Sequence, residues 1–347
     1  MNKNYLIFII FVICSCINNE KKSFDAFPFK TNLSPIKSIR FENLFDPIEF
    51  KIVDSLIFFN DKKDEDCFLK IYNLNSSIQI SGFGVIGRGP NEFISPELLV
   101  IDKKNNYIWI ADYPSQIVRK YNLKQMFSGL KKDNSILQFE IRPIPLTTSF
   151  QIIKNNNILV STLNGNGLFD LYDSIGIFKK NIGVGSYESS INLNEALQSI
   201  YFRKITCYDS VNNTIYGGYI QHDIIFKMNL STEETIMKKS RNFKETKPEF
   251  VGNENIKQDF FAFTDITIYK NLIYAAHLGS TGIDYDNFTV NYPRDILVFN
   301  KNLDPIAVLK FHKEIYGFEI SEEGLIYILS KDPDTEIYVC NLPKLPN

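Results

Sequence analysis

The clearest pattern in this chain is a run of three apolar segments separated by short polar turns. Residues 98–102, 107–112 and 117–122 are mostly apolar, and two lysines and two asparagines fill the first gap. Short apolar segments bounded by turn residues are typical of β-strands, and tight turns join antiparallel neighbours. The pattern therefore predicts a three-stranded β-meander.

The same pattern recurs along almost the whole chain, in six copies. A small sheet with two apolar faces is stable only when neighbouring copies cover both of them. Repeats of roughly 40–50 residues built from short strands are typical of β-propellers. We therefore predict an all-β fold, a six-bladed β-propeller over residues 36–347. The copies cover residues 50–73, 98–122, 150–172, 205–229, 265–300 and 317–341.

Three finer expectations concern the ends and loops of these copies. Residues 36–41 are expected to supply a strand to the last blade and so close the ring. Residues 193–202 and 247–261 have the best helical periodicity and are predicted as short helices on loops. The Asp and Asn residues that end many strands are predicted to cap turns through bonds from side chain to backbone.

The beginning of the chain predicts export. Residues 5–14 form an unbroken apolar run that follows Lys3 and precedes a polar stretch. Spanning a bilayer takes roughly 20 apolar residues, so this run is too short to be a membrane helix. Its length and flanks are those of the apolar part of a secretory signal.

A lipid anchor is predicted immediately after this run. The sequence Ile13-Cys14-Ser15-Cys16 resembles the bacterial lipobox, in which a small residue precedes a cysteine that is acylated. The resemblance implies removal of residues 1–15, a lipid on Cys16 and a tether over residues 16–35. An ordinary signal peptide with two incidental cysteines is the alternative.

Charge argues against a polyanionic partner. Without residues 1–15 the chain has 37 basic and 40 acidic residues, a net charge of about −3, and the two signs are mixed along it. No basic block exists that would bind phosphates, so we expect no nucleic-acid partner. Contact with a membrane is assigned to the lipid on Cys16.

Three cysteines remain after Cys16, namely Cys67, Cys207 and Cys340. They are far apart and show no metal-binding spacing. Export permits disulfides, but three cysteines allow at most one bridge. Burial as small apolar residues is the other possibility.

A glycine-rich segment carries a resemblance to a known family. Residues 80–93 include Gly87-Arg88-Gly89-Pro90-Asn91-Glu92-Phe93, and Pro96 and the meander of residues 102–112 follow. This stretch resembles the TolB-like or NHL-like six-bladed β-propeller lipoproteins of Bacteroidetes, which carry a G-x-G-P-x-E-[FY] run between two early blades. The specific match covers residues 80–122. The resemblance implies the architecture and a cell-envelope location, but no reaction.

The glycine-rich segment also matches G-x-G-x-x-G, the pattern of dinucleotide sites. Such sites need the glycines to open a helix, and Gly89 and Pro90 would break one here. We interpret the segment as a loop between blades, with Phe93 packed between sheets and Arg88 paired with Glu92. Because Arg88 can recognise anions and glycine-rich loops expose N–H groups, a ligand-binding role for Arg88 and Glu92 stays open.

Aromatic side chains near predicted loops are the other candidate ligand residues, Tyr113, Tyr219 and Tyr285 among them. Tyrosine is favoured at recognition surfaces, although packing between blades would use it equally well. The chain's three histidines, His222, His277 and His312, lie in different copies without metal-binding spacing. No catalytic residue, metal or cofactor is therefore predicted.

Together these patterns predict a lipid-anchored propeller of the outer membrane, with its periplasmic or surface side undetermined, acting as a binding module for an envelope protein or a small ligand. Two alternatives stay open. Some six-bladed propellers are lactonases or lyases that hold a metal in the central channel. A glycan-binding accessory lipoprotein of an uptake system would also fit the tyrosines and the location.

Overall fold

The computed structural model shows a chain made almost entirely of short β-strands. The strands form six sheets of four or five strands and two small hairpins. Residues 1–23, which include the predicted signal and Cys16, lie outside the described part. The structure describes residues 24, 26–64, 66–89, 92–112, 115–127, 137–140, 149–161, 167–183, 201–241, 243, 249–251, 255–257, 260–284 and 289–345.

The first half of the chain forms two leading strands and three blades. The leading strands are β1 (Phe29–Asn32) and β2 (Pro35–Ile39). Blade 1 contains β3 (Pro47–Val53), β4 (Leu56–Asp61), β5 (Leu69–Asn73) and β6 (Gln79–Phe83). Blade 2 contains β7 (Pro96–Asp102), β8 (Tyr107–Asp112), β9 (Ile117–Asn122) and β10 (Leu137–Glu140), with a short helix α1 (Leu123–Met126). Blade 3 contains β11 (Phe150–Ile152), β12 (Ile158–Ser161), β13 (Phe169–Tyr172) and β14 (Phe178–Ile182).

The second half forms three more blades and the two hairpins. Blade 4 contains β15 (Lys204–Asp209), β16 (Thr214–Tyr219), β17 (Ile224–Asn229) and β18 (Thr235–Lys239). A hairpin of β19 (Glu249–Val251) and β20 (Asn255–Lys257) follows. Blade 5 contains β21 (Phe260–Tyr269) and β22 (Leu272–Thr281), then the hairpin of β23 (Ile283–Asp284) and β24 (Thr289–Val290), then β25 (Asp295–Asn300) and β26 (Pro305–Lys310). Blade 6 contains β27 (Gly317–Ile320), β28 (Leu325–Ser330) and β29 (Glu336–Asn341).

The predicted six-bladed β-propeller is confirmed by this arrangement. Within each blade the strands are antiparallel, so the two kinds of connection lie on opposite sides of the ring. We call the side that carries the links between blades and between second and third strands the loop face. The side that carries the hairpins joining first to second and third to fourth strands is the turn face.

The hydrophobic core lies between the blades. The described buried residues fall into six clusters, and each cluster draws on two neighbouring blades. Middle strands such as β4 and β16 are therefore buried along nearly their whole length. Outer strands such as β6 and β18 are instead mostly half-buried or exposed, with one buried residue each. A blade thus has no core of its own, which explains why the apolar pattern repeats at full strength in every copy.

The predicted ring closure is also confirmed. Strand β2 pairs antiparallel with β29 and becomes the fourth strand of blade 6. Blade 6 therefore combines the first and last segments of the fold, and the cluster between blades 6 and 1 can form.

The folded region begins before residue 36, inside the segment assigned to a tether. Strand β1 pairs in parallel with β26 as a fifth strand of blade 5. Phe24, which is 2% exposed, inserts between blades 4 and 5 beside Phe263 and Phe299. The burial of such a large aromatic side chain explains why residues before the closing strand are held in place.

Turn capping by strand-ending residues is confirmed at several hairpins. Asn73, Asn229 and Asn300 each end a third strand, and each Oδ1 accepts bonds from two backbone N–H groups of the following turn. The helix predicted over residues 247–261 is wrong, because β19 and β20 form a hairpin there. Three-residue strands are too short for apolar spacing to distinguish them from a helix. Most of the other predicted helix, residues 193–200, lies outside the described residues.

Replacing Phe24 tests the extent of the fold. Phe24→Ala leaves a cavity between blades 4 and 5 and should lower the free energy of unfolding by about 3 kcal/mol. Urea unfolding of a chain covering residues 17–347 measures this. The control Ile175→Ala changes a side chain that is 59% exposed, and an effect within about 0.5 kcal/mol is expected there. Equal effects of the two substitutions would show that Phe24 does not belong to the core.

Candidate binding site in the central channel

The first strands of all six blades surround a channel along the axis of the ring. The channel has a volume of about 470 Å³ and is lined by residues of β3, β7, β11, β15, β21 and β27. It extends from Tyr316 and Glu97 near the loop face to Lys103 and Tyr208 near the turn face. Its size is that of a pocket for a small ligand, for which about 300–1,000 Å³ is usual.

A charged cluster occupies one side of the channel. The Nζ atom of Lys51 lies 2.7 Å from Oε1 of Glu319 and 3.7 Å from Oε1 of Glu49. Asp265 lines the same side and interacts electrostatically with Lys51. These four residues come from blades 1, 5 and 6, so the cluster spans the seam at which the ring closes.

Strand irregularities position these side chains. The pairing of β3 with β4 skips Ile48, that of β7 with β8 skips Leu98, and that of β21 with β22 skips Thr264. Such bulges redirect neighbouring side chains and release backbone groups from the ladder. Leu99 N, next to one bulge, donates to Oε2 of Glu49 at 3.0 Å.

Asp265 is held by backbone groups of two blades. Its Oδ2 accepts from Phe318 N and its Oδ1 from Ile266 N, each at 2.8 Å. Together with the bond from Leu99 to Glu49 and the pair of Lys51 with Glu319, this links blades 5, 6, 1 and 2 across the channel wall. The charged groups therefore have fixed positions.

Burial changes the acidity of this cluster. It raises the pKa of Asp265 to about 6, against the opposing effect of Lys51, and it also raises the pKa of Glu49. Burial alone would lower the pKa of Lys51, but the charges of Glu319, Glu49 and Asp265 outweigh it and raise that pKa above its ordinary value. Lys51 is therefore a fixed cation among three carboxyl groups.

The opposite side of the channel is polar but uncharged. Nε2 of Gln151 donates to the backbone oxygen of Thr206 at 2.8 Å, and the hydroxyls of Ser149 and Thr206 bond to each other. These residues join blade 3 to blade 4. Cys207 lies beside them, and burial raises the pKa of its thiol, which keeps it protonated and unreactive.

Aromatic residues lie at the loop-face mouth of the channel. Tyr316 stacks on Tyr292 with ring centres 3.8 Å apart, and Nζ of Lys331 lies 4.7 Å from the centre of the Tyr316 ring. Burial raises the pKa of Tyr316 to about 12. Ile48, 41% exposed, lines the channel near the same mouth.

The glycine-rich loop is a compact unit on the loop face. Oε2 of Glu92 accepts a bond from Gly89 N at 2.7 Å, and the backbones of residues 85–87 and Phe93 pair with each other. A Cβ on Gly87 would lie 2.0 Å from that carboxylate, so a larger residue there would displace the Glu92 side chain. Phe93 is 1% exposed and packs between blades 1 and 2, as predicted.

The predicted pair of Arg88 and Glu92 is not among the ion pairs of the described residues. The carboxylate of Glu92 is directed at the backbone of its own loop instead. Arg88 is exposed on the loop face. Of the two, Arg88 is thus the side chain that a ligand could reach.

The predicted tyrosines do not form one group with this loop. Tyr219 is fully buried in the cluster between blades 3 and 4. Tyr113 and Tyr285 lie outside the described residues, as does Cys16. The structure therefore gives no geometry for these three.

The three histidines do not converge on the channel. His222 is buried among aromatic rings, Nε2 of His277 lies 2.6 Å from Oδ1 of Asp223, and His312 packs beside Phe311. None of them lines the channel. Across the described part of the chain, no group of three or more His, Cys, Asp or Glu residues is arranged to hold a metal ion.

The remaining cysteines, Cys67, Cys207 and Cys340, are free thiols, and the last two are buried. No helix in the described ranges is long and apolar enough to cross a membrane.

The comparison with known families now identifies the class. The chain matches the family described as TolB-like 6-blade propeller-like over residues 28–323. It belongs to this TolB-like family of six-bladed propellers. No curated protein matches it in sequence.

Solved structures of similar fold come from Bacteroides. A DUF4221 family member from Bacteroides vulgatus has a TM-score of 0.60 and 13% identity, covering 91% of this chain and 98% of its own. A candidate exported protein of Bacteroides fragilis has a TM-score of 0.55 and 14% identity, covering 91% of this chain and 99% of its own. At such low identity these similarities show the fold alone.

The channel residues Glu49, Lys51, Asp265 and Glu319 were not among the residues predicted from the sequence. The sequence does contain a pattern that could have indicated them, because each of these charged residues interrupts the first apolar strand of its blade. A charged residue in such a strand usually indicates a solvated face, and only the ring shows that these faces meet at the axis.

The pH dependence of stability tests the environment of Asp265. Its folded pKa of about 6 lies above the ordinary value of 3.8. The contribution of Asp265 to the free energy of unfolding is therefore fully present at pH values below 3.8. It is lost as the pH rises through about 6 and the carboxyl group ionises. We expect the stability of the wild type relative to Asp265→Asn to fall between pH 4 and pH 7, measured by urea unfolding.

A matched control accompanies this measurement. Ile175 is 59% exposed and has no titratable group, so the difference between wild type and Ile175→Ala should change little over the same pH range. A difference for Asp265→Asn that is equally flat would contradict the assigned environment.

Proposed function

We propose that this protein is an exported, lipid-anchored binding module of the cell envelope, with its ligand site in the central channel and at the channel's loop-face mouth. The observation that carries this proposal is the open channel of about 470 Å³ in which fixed charged groups of three blades meet. Pockets that bind small ligands combine such a volume with a few well-positioned polar groups.

A purely structural role explains the channel less well. Burying charged groups has a free-energy cost that only good pairing offsets, and apolar side chains of similar volume are often as stabilising. Here Lys51 is surrounded by three carboxyl groups, so charge is not balanced within the cluster. Groups that reduce stability in this way are frequent at binding and catalytic sites.

The loop face is the second part of the proposed site. Arg88 is exposed there, and the glycine-rich loop that carries it is held in shape by Glu92. Tyr113 and Tyr285 are proposed as further contacts on the strength of their residue type. An envelope protein or a glycan is the proposed partner, since tyrosine and arginine are favoured in recognition surfaces.

The location is proposed from the beginning of the chain. The apolar run of residues 5–14 and the lipobox-like sequence at Cys16 support export, cleavage and acylation. The similar fold of a candidate exported Bacteroides fragilis protein agrees with this. We therefore assign the protein to the outer membrane as a lipoprotein, attached through Cys16.

Replacing the proposed lipid attachment site tests the location. Cys16→Ala should abolish incorporation of labelled palmitate and move the protein from the detergent phase to the aqueous phase. The control Cys67→Ala leaves residues 1–16 unchanged and should behave as wild type in both assays. Continued labelling of Cys16→Ala would disprove acylation at this residue.

Partner capture tests the binding role. The tagged protein is purified from gently crosslinked native membranes, and the proteins that accompany it are identified by mass spectrometry. Arg88→Ala should reduce recovery of a loop-face partner several-fold. Lys104→Ala, which removes an exposed cation from the turn face, should not. Equal recovery with both variants would contradict a loop-face protein partner.

A further inference from the structure

The channel is polar on two sides that differ in chemistry. Blades 5, 6 and 1 contribute four charged residues, Asp265, Glu319, Glu49 and Lys51, which we call the charged wall. Blade 2 adds Glu97 near the loop face and Lys103 near the turn face. Blades 3 and 4 contribute Ser149, Gln151 and Thr206, which we call the neutral wall. The sixfold repeat of the fold does not require this asymmetry, because all six first strands are equivalent in the ring.

The charged wall has an excess of negative charge. Lys51 is the single cation of this wall, and its closest carboxylate is that of Glu319 at 2.7 Å. Glu49 lies farther from Lys51, at 3.7 Å, and the bonds recorded for Asp265 come from backbone N–H groups. A carboxylate offers about four acceptor positions, so Glu49 and Asp265 keep acceptor capacity for a ligand.

The neutral wall offers hydroxyl and amide groups. Gln151 makes its recorded bonds through Nε2, which leaves Oε1 as an acceptor. The hydroxyls of Ser149 and Thr206 can each donate or accept. Groups of this kind bind the hydroxyls of a neutral, polar ligand.

From this juxtaposition we infer that the channel binds a small ligand with a protonated amine at one end and several hydroxyls at the other, the chemistry of a 2-amino sugar. The amine lies against Glu49 and Asp265, and the hydroxyls lie against Gln151, Ser149 and Thr206. This inference rests on the proposed binding function and specifies its ligand class.

An anionic ligand fits the same channel poorly. Its only possible partner on the charged wall is Lys51, which already has Glu319 at 2.7 Å and Glu49 at 3.7 Å. A carboxylate or phosphate in the channel would also face Asp265. An anion and the carboxylate of Asp265 have charges of the same sign and repel each other. Lys103, the other cation that lines the channel, lies at its turn-face end, 3.9 Å from Oε1 of Glu322.

Calorimetric titration with three sugars tests the inference. Glucosamine, glucose and N-acetylglucosamine differ only in the group at C2, which is a free amine, a hydroxyl and an acetamide, respectively. We expect glucosamine to bind the mature chain at pH 7 at least tenfold more tightly than the other two. A charged hydrogen bond contributes about 1.5–3 kcal/mol, which corresponds to roughly ten- to a hundredfold in affinity.

Variants assign the binding to the two walls. Asp265→Asn should weaken glucosamine binding about tenfold and leave glucose unchanged, whereas Gln151→Leu should weaken both sugars. Glu322→Gln, on the turn face and 86% exposed in its side chain, is the control and should change neither. Glu49→Gln gives a second test of the charged wall if Asp265→Asn does not fold.

Two results would overturn the inference. One is the absence of heat with glucosamine, and the other is equal affinity for glucosamine and glucose. Neither result decides the proposed binding function, because membrane capture of a partner at the loop face is measured separately. If no protein is captured from membranes but glucosamine still binds, only the proposed protein partner at the loop face is contradicted.

Discussion

The pairing of β2 with β29 holds the ring of blades closed. Each described core cluster is shared by two blades, so a sheet at an open end would expose one apolar face. The pairing completes blade 6 with a strand from the beginning of the chain and brings blade 6 against blade 1. The charged wall of the channel also spans this seam, since Lys51 belongs to blade 1 and Glu319 to blade 6. Closure of the ring therefore creates both the core and the site.

The architecture could be predicted from the sequence because every blade must bury both apolar faces of its sheet, and this requirement repeats the same pattern along the chain. Apolar strands such as β8 and β28 are buried on both faces, and tight turns with Asn or Asp separate them. Strand length, turn composition and a repeated pattern are local properties, which a sequence displays directly. The closing strand could be predicted too, because residues 36–41 lie just before the first copy and a propeller ring needs a strand that closes it.

The site could not be predicted in the same way. Glu49, Lys51 and Asp265 are far apart in sequence, and their meeting depends on ring geometry and on bulges at Ile48 and Thr264. Bulges leave no distinct sequence pattern when the extra residue is apolar or β-branched. In the glycine-rich loop the packing of Phe93 between blades was predicted correctly, but the partner of Glu92 is the backbone of its own loop. Opposite charge favoured Arg88 as that partner, whereas in the structure Gly89 N donates to the Glu92 carboxylate, which also lies close to Gly87.

The closure between the first and last strands also affects the order of events during folding. Arg40 and Glu336, which bond beside this pairing, are 296 residues apart in the chain. Because β2 and β29 lie at opposite ends of the fold, the intervening blades can form while the seam is still open and one apolar face is uncovered. Contacts of such high sequence separation form slowly, and partly formed sheets with unpaired edges are prone to aggregate. The ring thus reaches its full stability only when the last strand pairs. Until then the incomplete ring must be protected from aggregation at its uncovered apolar face.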